Sequence, residues 1–308
     1  MKIAADITEL IGNTPLVRLH TLFADQVATV AAKLEQNNPG ASVKDRAALS
    51  MINDAEQTGR LKSGGTIIEA TSGNTGIALS YIATVRKYKI VIVMPESMSV
   101  ERQRLLGALG ARLELTPAHL GMKGAIDRAQ ELVDSMENAF LVSQFTNKAN
   151  PLAHEKTTAE EIIADTDGKV NVFIAGAGTG GTITGVGRRL KQFNSSIEII
   201  AVEPASSCVI TGGHCGPHMI QGIGPGFVPE IYDRSVVDQV LPVGDQEAYR
   251  WTRRIILEEG ILAGISSGAA ACATDKYLKQ SRSGNKLIVT LFPDTGERYL
   301  SVPMLFTS

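Results

Sequence analysis

Cysteine, excess charge of one sign and long apolar runs are all scarce in this chain of 308 residues. Its three cysteines are too few for a disulfide framework and predict a reducing, cytoplasmic setting. The 30 basic and 32 acidic side chains nearly balance, which argues against a nucleic-acid groove or a polybasic membrane patch. No run approaches the ~20 apolar residues of a spanning helix. Acids precede any apolar run at the N-terminus, so we expect no secretory signal.

The remaining composition fits a globular α/β protein. A hydrophobic fraction of 44% with 20% charged residues excludes the disordered and fibrous classes. Strand-like runs alternate with helical patterns along most of the length, which predicts parallel sheets with helices on both faces. Two such sets, on either side of about residue 147, together with the chain length predict two domains.

A long neutral segment interrupts this alternation. Residues 206–229 contain no Asp, Glu, Lys or Arg, but they include six glycines and three prolines. Connections of this length without regular structure are often functional, so we expect contact with a ligand or with protein. The segment also carries Cys208, His214, Cys215 and His218, but their spacing fits no ordinary zinc pattern, and we predict no metal site.

A glycine-rich turn, the glycine loop (residues 176–182), lies between a predicted strand and a predicted helix. Such a turn bares backbone N–H groups at the positive end of a helix, which can cradle a phosphate. Gly176, Gly178 and Gly181 also match G-x-G-x-x-G, and Glu203 follows where a ribose-binding acid would lie. Two interpretations stay open here: a compact phosphate, or the dinucleotide of an NAD-dependent oxidoreductase using Gly176 to Glu203.

Lys44 is predicted in the first turn of a helix that begins at Ser42, its expected N-cap. A cation is unfavourable there because that helix end is already positive. The position disfavours the ammonium form and supplies the neutral amine that imine formation requires. Taken alone, it is more typical of a solvated surface lysine.

A second strand–loop–helix junction carries the hydroxyl loop (residues 71–75). Thr71, Ser72, Asn74 and Thr75 crowd hydroxyls and an amide around a helix N-terminus. Capping needs only one such residue, so this set predicts an anion site of carboxylate size.

These segments, in this order, resemble the cysteine synthase (O-acetylserine sulfhydrylase) family of fold-type II pyridoxal-phosphate enzymes. The resemblance rests on the Lys44 segment, the Thr-Ser-Gly-Asn-Thr-Gly loop, the Gly-Thr-Gly-Gly-Thr loop and Gly264-Ile-Ser-Ser-Gly-Ala-Ala. It runs from Ile11-Gly-Asn-Thr-Pro-Leu-Val to Gly296-Glu-Arg-Tyr-Leu-Ser, which is essentially the whole chain.

The resemblance implies an α/β fold of two domains, each a twisted, mostly parallel sheet flanked by helices, with the active site in the cleft between them. Residues 1–38 would be an N-terminal segment packing with the larger domain. Residues 39–147 would form a smaller, mobile substrate-loop domain. Residues 148–308 would form the larger domain, which holds the cofactor phosphate.

The resemblance also implies roles toward pyridoxal 5′-phosphate. Lys44 would be the catalytic residue and would hold the cofactor as an internal aldimine. Asn74 would bond the 3′ oxygen of the ring, and Ser266 would face the pyridine nitrogen. The cofactor phosphate would be held by Gly178, Thr179, Gly180, Gly181 and Thr182. The substrate α-carboxylate would be held by Thr71, Ser72, Gly73, Asn74, Thr75 and Gln144, with Gly222 beside the substrate.

The implied reaction is a β-replacement that forms L-cysteine from O-acetyl-L-serine and sulfide through an aminoacrylate intermediate, releasing acetate. A neutral Ser266 leaves the ring nitrogen unprotonated, which favours expulsion of a β-leaving group over transamination. The implied partners are these small substrates, a second copy in a homodimer and serine acetyltransferase. Neither nucleic acid nor membrane is expected as a partner.

The sulfur donor and the serine ester stay open. Ala70 stands where A-type enzymes of the family usually carry proline and resembles the B-type, whereas Gln221–Pro229 resembles the A-type. Sulfide, thiosulfate and a larger thiol therefore remain alternatives, the last as in a cystathionine β-synthase-like reaction. That relative usually has an aspartate in the Gly222–Pro229 loop, and a phosphoserine enzyme would need an added arginine; this loop has neither.

Overall fold

The computed structural model describes residues 3–280 and 284–306, which form two compact units. Unit 1 contains the described residues up to Ile11 together with Lys44–Asn150. Unit 2 contains Gly12–Val43 and the described residues from Pro151 onward. None of the helices in the described ranges has both the length and the apolar character that crossing a membrane requires. The domain boundaries expected from the resemblance stay a prediction.

Strands and helices alternate along the described chain. The strands are β1 (Leu16–Arg18), β2 (Thr29–Leu34), β3 (Thr66–Ala70), β4 (Lys89–Pro95), β5 (Arg112–Thr116), β6 (Ala139–Leu141), β7 (Val172–Gly176), β8 (Glu198–Pro204), β9 (Gln239–Val243) and β10 (Leu287–Phe292). The helices are α1 (Lys44–Gln57), α2 (Asn74–Val85), α3 (Val100–Ala108), α4 (Gly121–Ser135), α5 (Ala149–Ala153), α6 (Ala159–Asp165), α7 (Gly181–Phe193), α8 (Asp245–Glu259) and α9 (Ile265–Gln280). Between α5 and α6 the chain makes a π-helical turn, His154–Thr158. Short 3-10 turns cover Ile7–Leu10, Glu35–Asn37, Ala118–Leu120, Arg234–Val236 and Gly296–Tyr299.

The sheet of unit 1 has the strand order β5-β4-β3-β6, and its neighbouring strands are parallel. Successive side chains of a strand point to opposite faces. In β4, Ile90 and Ile92 pack into a core with residues of α1 and α2. Val91 and Val93 pack into a second core with residues of α4. The strand is therefore an unbroken apolar run, as expected where helices cover both faces of a parallel sheet.

The sheet of unit 2 has the order β1-β2-β10-β7-β8-β9, with β1 antiparallel to β2 and the other neighbouring pairs parallel. In β7, Val172 and Ile174 share a core with residues of α8 and α9. Phe173 and Ala175 share another with residues of α6 and α7. The predicted α/β class, with mostly parallel sheets flanked by helices, is confirmed.

The direction of strand succession reverses within each sheet. In unit 1, β3, β4 and β5 follow one another outward, and β6 returns to the other side of β3. In unit 2, β7, β8 and β9 run outward, and β10 returns to the other side of β7. The loops at the carboxyl ends of the two strands diverge at such a switch point and leave room for a ligand. The hydroxyl loop follows β3, and the glycine loop follows β7.

Helix α7 packs against the π-helical turn at Gly185. A Cβ at this position would overlap the carbonyl oxygen of Pro151 and would lie 2.8 Å from Cβ of His154. The close approach therefore depends on glycine. It brings His154 against the first turn of α7, where its Nε2 lies 3.3 Å from Oγ1 of Thr182.

Gly185→Ala should lower the free energy of unfolding by about 1–3 kcal/mol, because an added methyl group overpacks this contact. Gly107→Ala is the matched control, since it also lies within a helix, but its Cβ would meet nothing within 4 Å. That change should be neutral or add up to about 1 kcal/mol through helix propensity. Urea denaturation of both variants provides the comparison, and equal stabilities would contradict the packing described here.

Candidate active site

The hydroxyl loop connects β3 to α2 at the switch point of unit 1. The Thr71 N–H donates to the carbonyl of Val93 at 3.0 Å, and Thr71 Oγ1 accepts from the Gly73 N–H at 3.2 Å. Gly73 is the N-cap of α2 and has no side chain that could cap the helix. The first N–H groups of α2 thus carry the positive partial charge of a helix end toward the loop. This arrangement suits an anion of carboxylate size.

Gln144 lies beside this loop. It follows β6, the strand that borders β3 at the switch point. Thr75 Oγ1 donates to Gln144 Oε1 at 2.7 Å, and both residues are buried. The structure thus brings the predicted residues of the hydroxyl loop and Gln144 together within unit 1.

A buried carboxylate, Glu69 at the end of β3, lies beneath both segments. Glu69 is 3% exposed, and its Oε2 accepts from the Ser143 N–H at 2.9 Å. Its Oε1 accepts from the Gln144 backbone N–H at 3.5 Å. Burial raises the pKa of Glu69 to about 7, although the bonds from Ser143 and Gln144 lower it in part.

Lys44 is the first residue of α1 and is half-buried. The backbone that leads into it is fixed, because the Val43 N–H donates to the carbonyl of Pro293 at 2.8 Å. The prediction that the helix begins at Ser42 is wrong by two residues, because Ser42 forms an antiparallel bridge with Asp294 instead. The first-turn position of Lys44 is confirmed.

The glycine loop occupies the switch point of unit 2 and depends on its glycines at two positions. Gly180, the N-cap of α7, has φ 84, and a Cβ there would lie 2.9 Å from Cβ of Tyr232. A Cβ on Gly178 would overlap the carbonyl oxygen of Gly222. Glycine at these positions lets the turn pack closely against protein at the N-terminus of α7, and the positive end of that helix can bind an anion. The hydroxyls of Thr179 and Thr182 belong to the same turn, and both residues are buried.

Gly222 and Ser266 complete the group within unit 2. Gly222, in the neutral segment, has φ 97, and a Cβ there would lie 3.6 Å from Oγ of Ser266. The Gly224 N–H donates to the carbonyl of Ala177 at 3.0 Å, which ties this segment to the glycine loop. Ser266 lies in the first turn of α9 and is 2% exposed. The expected contact of the neutral segment with protein is confirmed, and the predicted residues of unit 2 form one group.

The hydrogen bonds of Glu203 do not support the dinucleotide interpretation. It is 1% exposed, and both of its carboxylate oxygens accept bonds from the neutral segment. The Ile210 N–H donates to Oε2 at 2.9 Å, and Thr211 Oγ1 donates to Oε1 at 2.7 Å. A carboxylate used in this way anchors a loop and is not available to a ribose.

Sequence reasoning missed Glu69 and His154. Glu69 carries a detectable signal, since it is a charged residue within the apolar run of β3, directly before the hydroxyl loop. His154 carries none, because its contacts with Thr158 and Thr182 depend on the packing of α7. Within the described ranges, no group of three or more His, Cys, Asp or Glu residues could hold a metal ion.

Comparison with known proteins decides between the phosphate and dinucleotide interpretations. Residues 7–294 match the family model described as pyridoxal-phosphate dependent enzyme. The chain belongs to this family. Its cofactor is therefore pyridoxal phosphate, as predicted, and the dinucleotide interpretation is not supported.

The relatives of this pyridoxal-phosphate dependent enzyme include cysteine synthases. A cysteine synthase of Staphylococcus aureus strain Mu50 is 49% identical over 300 residues, which is 97% of this chain and 96% of that protein. The crystal structure of cysteine synthase from Entamoeba histolytica matches with a TM-score of 0.96 at 44% identity, covering 99% of this chain and 91% of that one. An O-acetylserine dependent cystathionine beta-synthase from Helicobacter pylori matches with a TM-score of 0.91 at 39% identity, covering 98% of each chain.

The residues of unit 2 fit the phosphate end of this cofactor. The glycine loop offers a helix N-terminus, two buried threonine residues and a turn whose shape a Cβ at Gly178 or Gly180 would disrupt. Such a site suits a compact dianion. In unit 1, the hydroxyl loop and Gln144 offer the donors that a carboxylate requires.

The raised pKa of Glu69 predicts a pH-dependent contribution to stability. In the unfolded chain this carboxyl ionises near its ordinary pKa of 4.5, whereas in the fold its pKa is about 7. The protonated form is therefore favoured by folding, and this contribution is complete below pH 4.5 and is lost as the pH rises through 7.

Glu69→Gln removes this titration. The free energy of unfolding of the wild type, minus that of Glu69→Gln, should fall by about 2–3 kcal/mol between about pH 5 and pH 8. Urea denaturation at a series of pH values measures the difference. A difference that does not change with pH would contradict the raised pKa.

Proposed function

We propose that this protein is a transferase that forms L-cysteine from O-acetyl-L-serine and sulfide by β-replacement, with release of acetate. The observation that carries the proposal is that unit 2 contains a glycine loop suited to a phosphate and unit 1 contains a hydroxyl loop suited to a carboxylate. Both lie in a pyridoxal-phosphate dependent enzyme whose relatives include cysteine synthases. The two loops match the two anionic groups that such a reaction must hold, the cofactor phosphate and the substrate α-carboxylate.

The cofactor, when bound, supplies an aldehyde that bonds to an amine and a ring that withdraws electrons from the substrate Cα. Lys44 is the residue we propose for that bond in the resting enzyme. Its place in the first turn of α1 disfavours the ammonium form, so the Nζ is suited to attack an aldehyde. Its Nζ would also serve as the neutral base that takes the α-proton of the substrate and later returns it.

We propose that residues of unit 2 and of the hydroxyl loop hold the cofactor. We propose that Ser266 faces the pyridine nitrogen and, as a neutral residue, leaves it unprotonated. Asn74, the first residue of α2, would bond the 3′ oxygen of the ring. The residues proposed for the phosphate are Gly178, Thr179, Gly180, Gly181 and Thr182.

The α-carboxylate of the amino-acid substrate is proposed to bind at the hydroxyl loop. Its negative charge would face the N-terminus of α2, where N–H groups and hydroxyls converge. The proposed residues are Thr71, Ser72, Gly73, Asn74, Thr75 and Gln144. Gly222, whose φ of 97 depends on glycine, would lie beside the substrate.

Several finer properties remain proposals that the family resemblance implies. We propose sulfide as the sulfur donor, with thiosulfate and a larger thiol as alternatives, the last because one relative is a cystathionine beta-synthase. A homodimer, docking of serine acetyltransferase and mobility of the domain over residues 39–147 are proposed on the same resemblance. A cytoplasmic location is proposed because all three cysteines are free thiols.

Lys44→Ala tests the function. The wild type should absorb visible light with bound cofactor and should form cysteine from O-acetylserine and sulfide. Lys44→Ala should lose the visible band of the lysine-bound cofactor, and its turnover should fall by about 10²–10⁴-fold, the usual effect of a lost general base. Steady-state cysteine formation and absorbance spectra measure the two effects.

Lys62→Ala is the control, since this lysine of unit 1 is exposed and outside the proposed site. It should keep both the spectrum and the rate. Normal turnover by Lys44→Ala would refute the role of this lysine. A wild type that retains its visible cofactor band but forms neither cysteine from sulfide, nor S-sulfocysteine from thiosulfate, nor cystathionine from homocysteine would refute the proposed β-replacement.

A further inference from the structure

The ends of β3 and β6 part just before the proposed carboxylate site. The two strands pair in parallel up to Ile68 and Leu141, and the Val142 N–H still reaches the carbonyl of Ile68 at 3.1 Å. Beyond this point the chain that continues from β3 bonds to β4, since the Thr71 N–H donates to the carbonyl of Val93. The N–H groups that follow Val142 therefore cannot continue the ladder with β3.

The side chain of Glu69 accepts the backbone hydrogen bonds that β3 does not accept beyond Val142. Its carboxylate accepts from the Ser143 N–H at 2.9 Å and lies 3.5 Å from the Gln144 nitrogen. Ser143 has φ 54, a left-handed conformation that is uncommon for a serine and needs support from its surroundings. The bond from Ser143 to Glu69 stabilises this turn, and the turn sets the position of Gln144.

The side-chain amide of Gln144 is oriented by Thr75. Its Oε1 accepts from Thr75 Oγ1 at 2.7 Å, so the amide oxygen faces Thr75. The backbone of Gln144 is fixed as well, since Asn150 Nδ2 donates to its carbonyl at 2.9 Å.

We propose that Glu69 is a positioning residue for the reaction, which fixes the Ser143 turn and through it the position of Gln144, so that the hydroxyl loop is already in place when the substrate α-carboxylate binds. The inference rests on the proposed function, because it assumes that this loop binds an amino acid. Glu69 itself does not touch the substrate in this account. It acts through Gln144 and, through Gln144, on Thr75.

A carboxylate is the side chain that this position requires. Two backbone N–H groups, those of Ser143 and Gln144, converge on it, and each carboxylate oxygen accepts one of them. A glutamine would offer one accepting oxygen and an NH2 group, which would face other donors. The turn would then lose a partner, and a buried donor left without an acceptor is costly.

Glu69→Gln tests the proposal at about pH 8, where the wild-type carboxyl is ionised. The probes are L-serine and L-serinamide, which differ in the negative charge of the α-carboxylate, and the readout is the dissociation constant from the spectral change of the bound cofactor. Glu69→Gln should bind L-serine about tenfold more weakly, the size of one charge-assisted hydrogen bond, and should bind L-serinamide as the wild type does. The KM for O-acetylserine should rise, whereas the KM for sulfide should not change.

Ile67→Val is the matched control, since Ile67 lies on the same strand and the same face as Glu69 and is equally enclosed. It destabilises the core without touching residues 143–144 and should leave both dissociation constants unchanged. If Glu69→Gln does not fold, Glu69→Asp replaces it, because the shorter acid keeps the charge but cannot reach both N–H groups. For either variant, equal weakening toward L-serine and L-serinamide, or no weakening, would overturn the proposal.

A double-mutant cycle with Gln144→Ala shows whether Glu69 acts through Gln144. Once Gln144 is truncated, Glu69→Gln should weaken L-serine binding by less than a further twofold. Full additivity of the two effects would overturn the positioning role. A wild type that neither binds L-serine nor consumes O-acetylserine would instead refute the proposed function, so the two failures are distinguishable.

Discussion

Parallel strands that separate at a switch point leave backbone groups without a strand partner, and these groups must be satisfied in another way. In unit 1, the carboxylate of Glu69 accepts from the backbone of Ser143, just past the end of β6. In unit 2, the first residue after β7, Ala177, donates to Val202 and accepts from Gly224, so the glycine loop is supported from both sides. The shape of each candidate loop depends on how this requirement is met.

The two units satisfy the backbone groups at their switch points with different chemistry, and this difference matches the proposed ligands. The glycine loop depends on Gly178 and Gly180 for its close packing, and it offers a helix N-terminus that suits a compact dianion. The hydroxyl loop instead combines a helix end with side-chain donors, of which Thr75 is oriented by Gln144.

Much of the fold and of the site could be predicted from local sequence. The helix predicted after the glycine loop is confirmed as α7 (Gly181–Phe193), because the glycine turn before it marks its start clearly. The helical stretch over residues 149–165 is not predicted, since Pro151 and the β-branched Thr157 and Thr158 obscure its period and its π turn depends on packing against α7. Contacts such as that of Glu69 with Ser143 join residues 74 positions apart, and no local pattern encodes them.

The most direct test of the account is the affinity of Gly178→Ala for pyridoxal phosphate compared with pyridoxal, which lacks the phosphate. A Cβ at this position would overlap the carbonyl of Gly222 and force the glycine loop away from its cradle shape. Equilibrium dialysis against the apoprotein should show at least about tenfold weaker binding of pyridoxal phosphate, since charge-assisted hydrogen bonds to the phosphate are lost. Binding of pyridoxal should be unchanged. Equal affinities of wild type and variant for pyridoxal phosphate would contradict the assignment of the glycine loop to the cofactor phosphate.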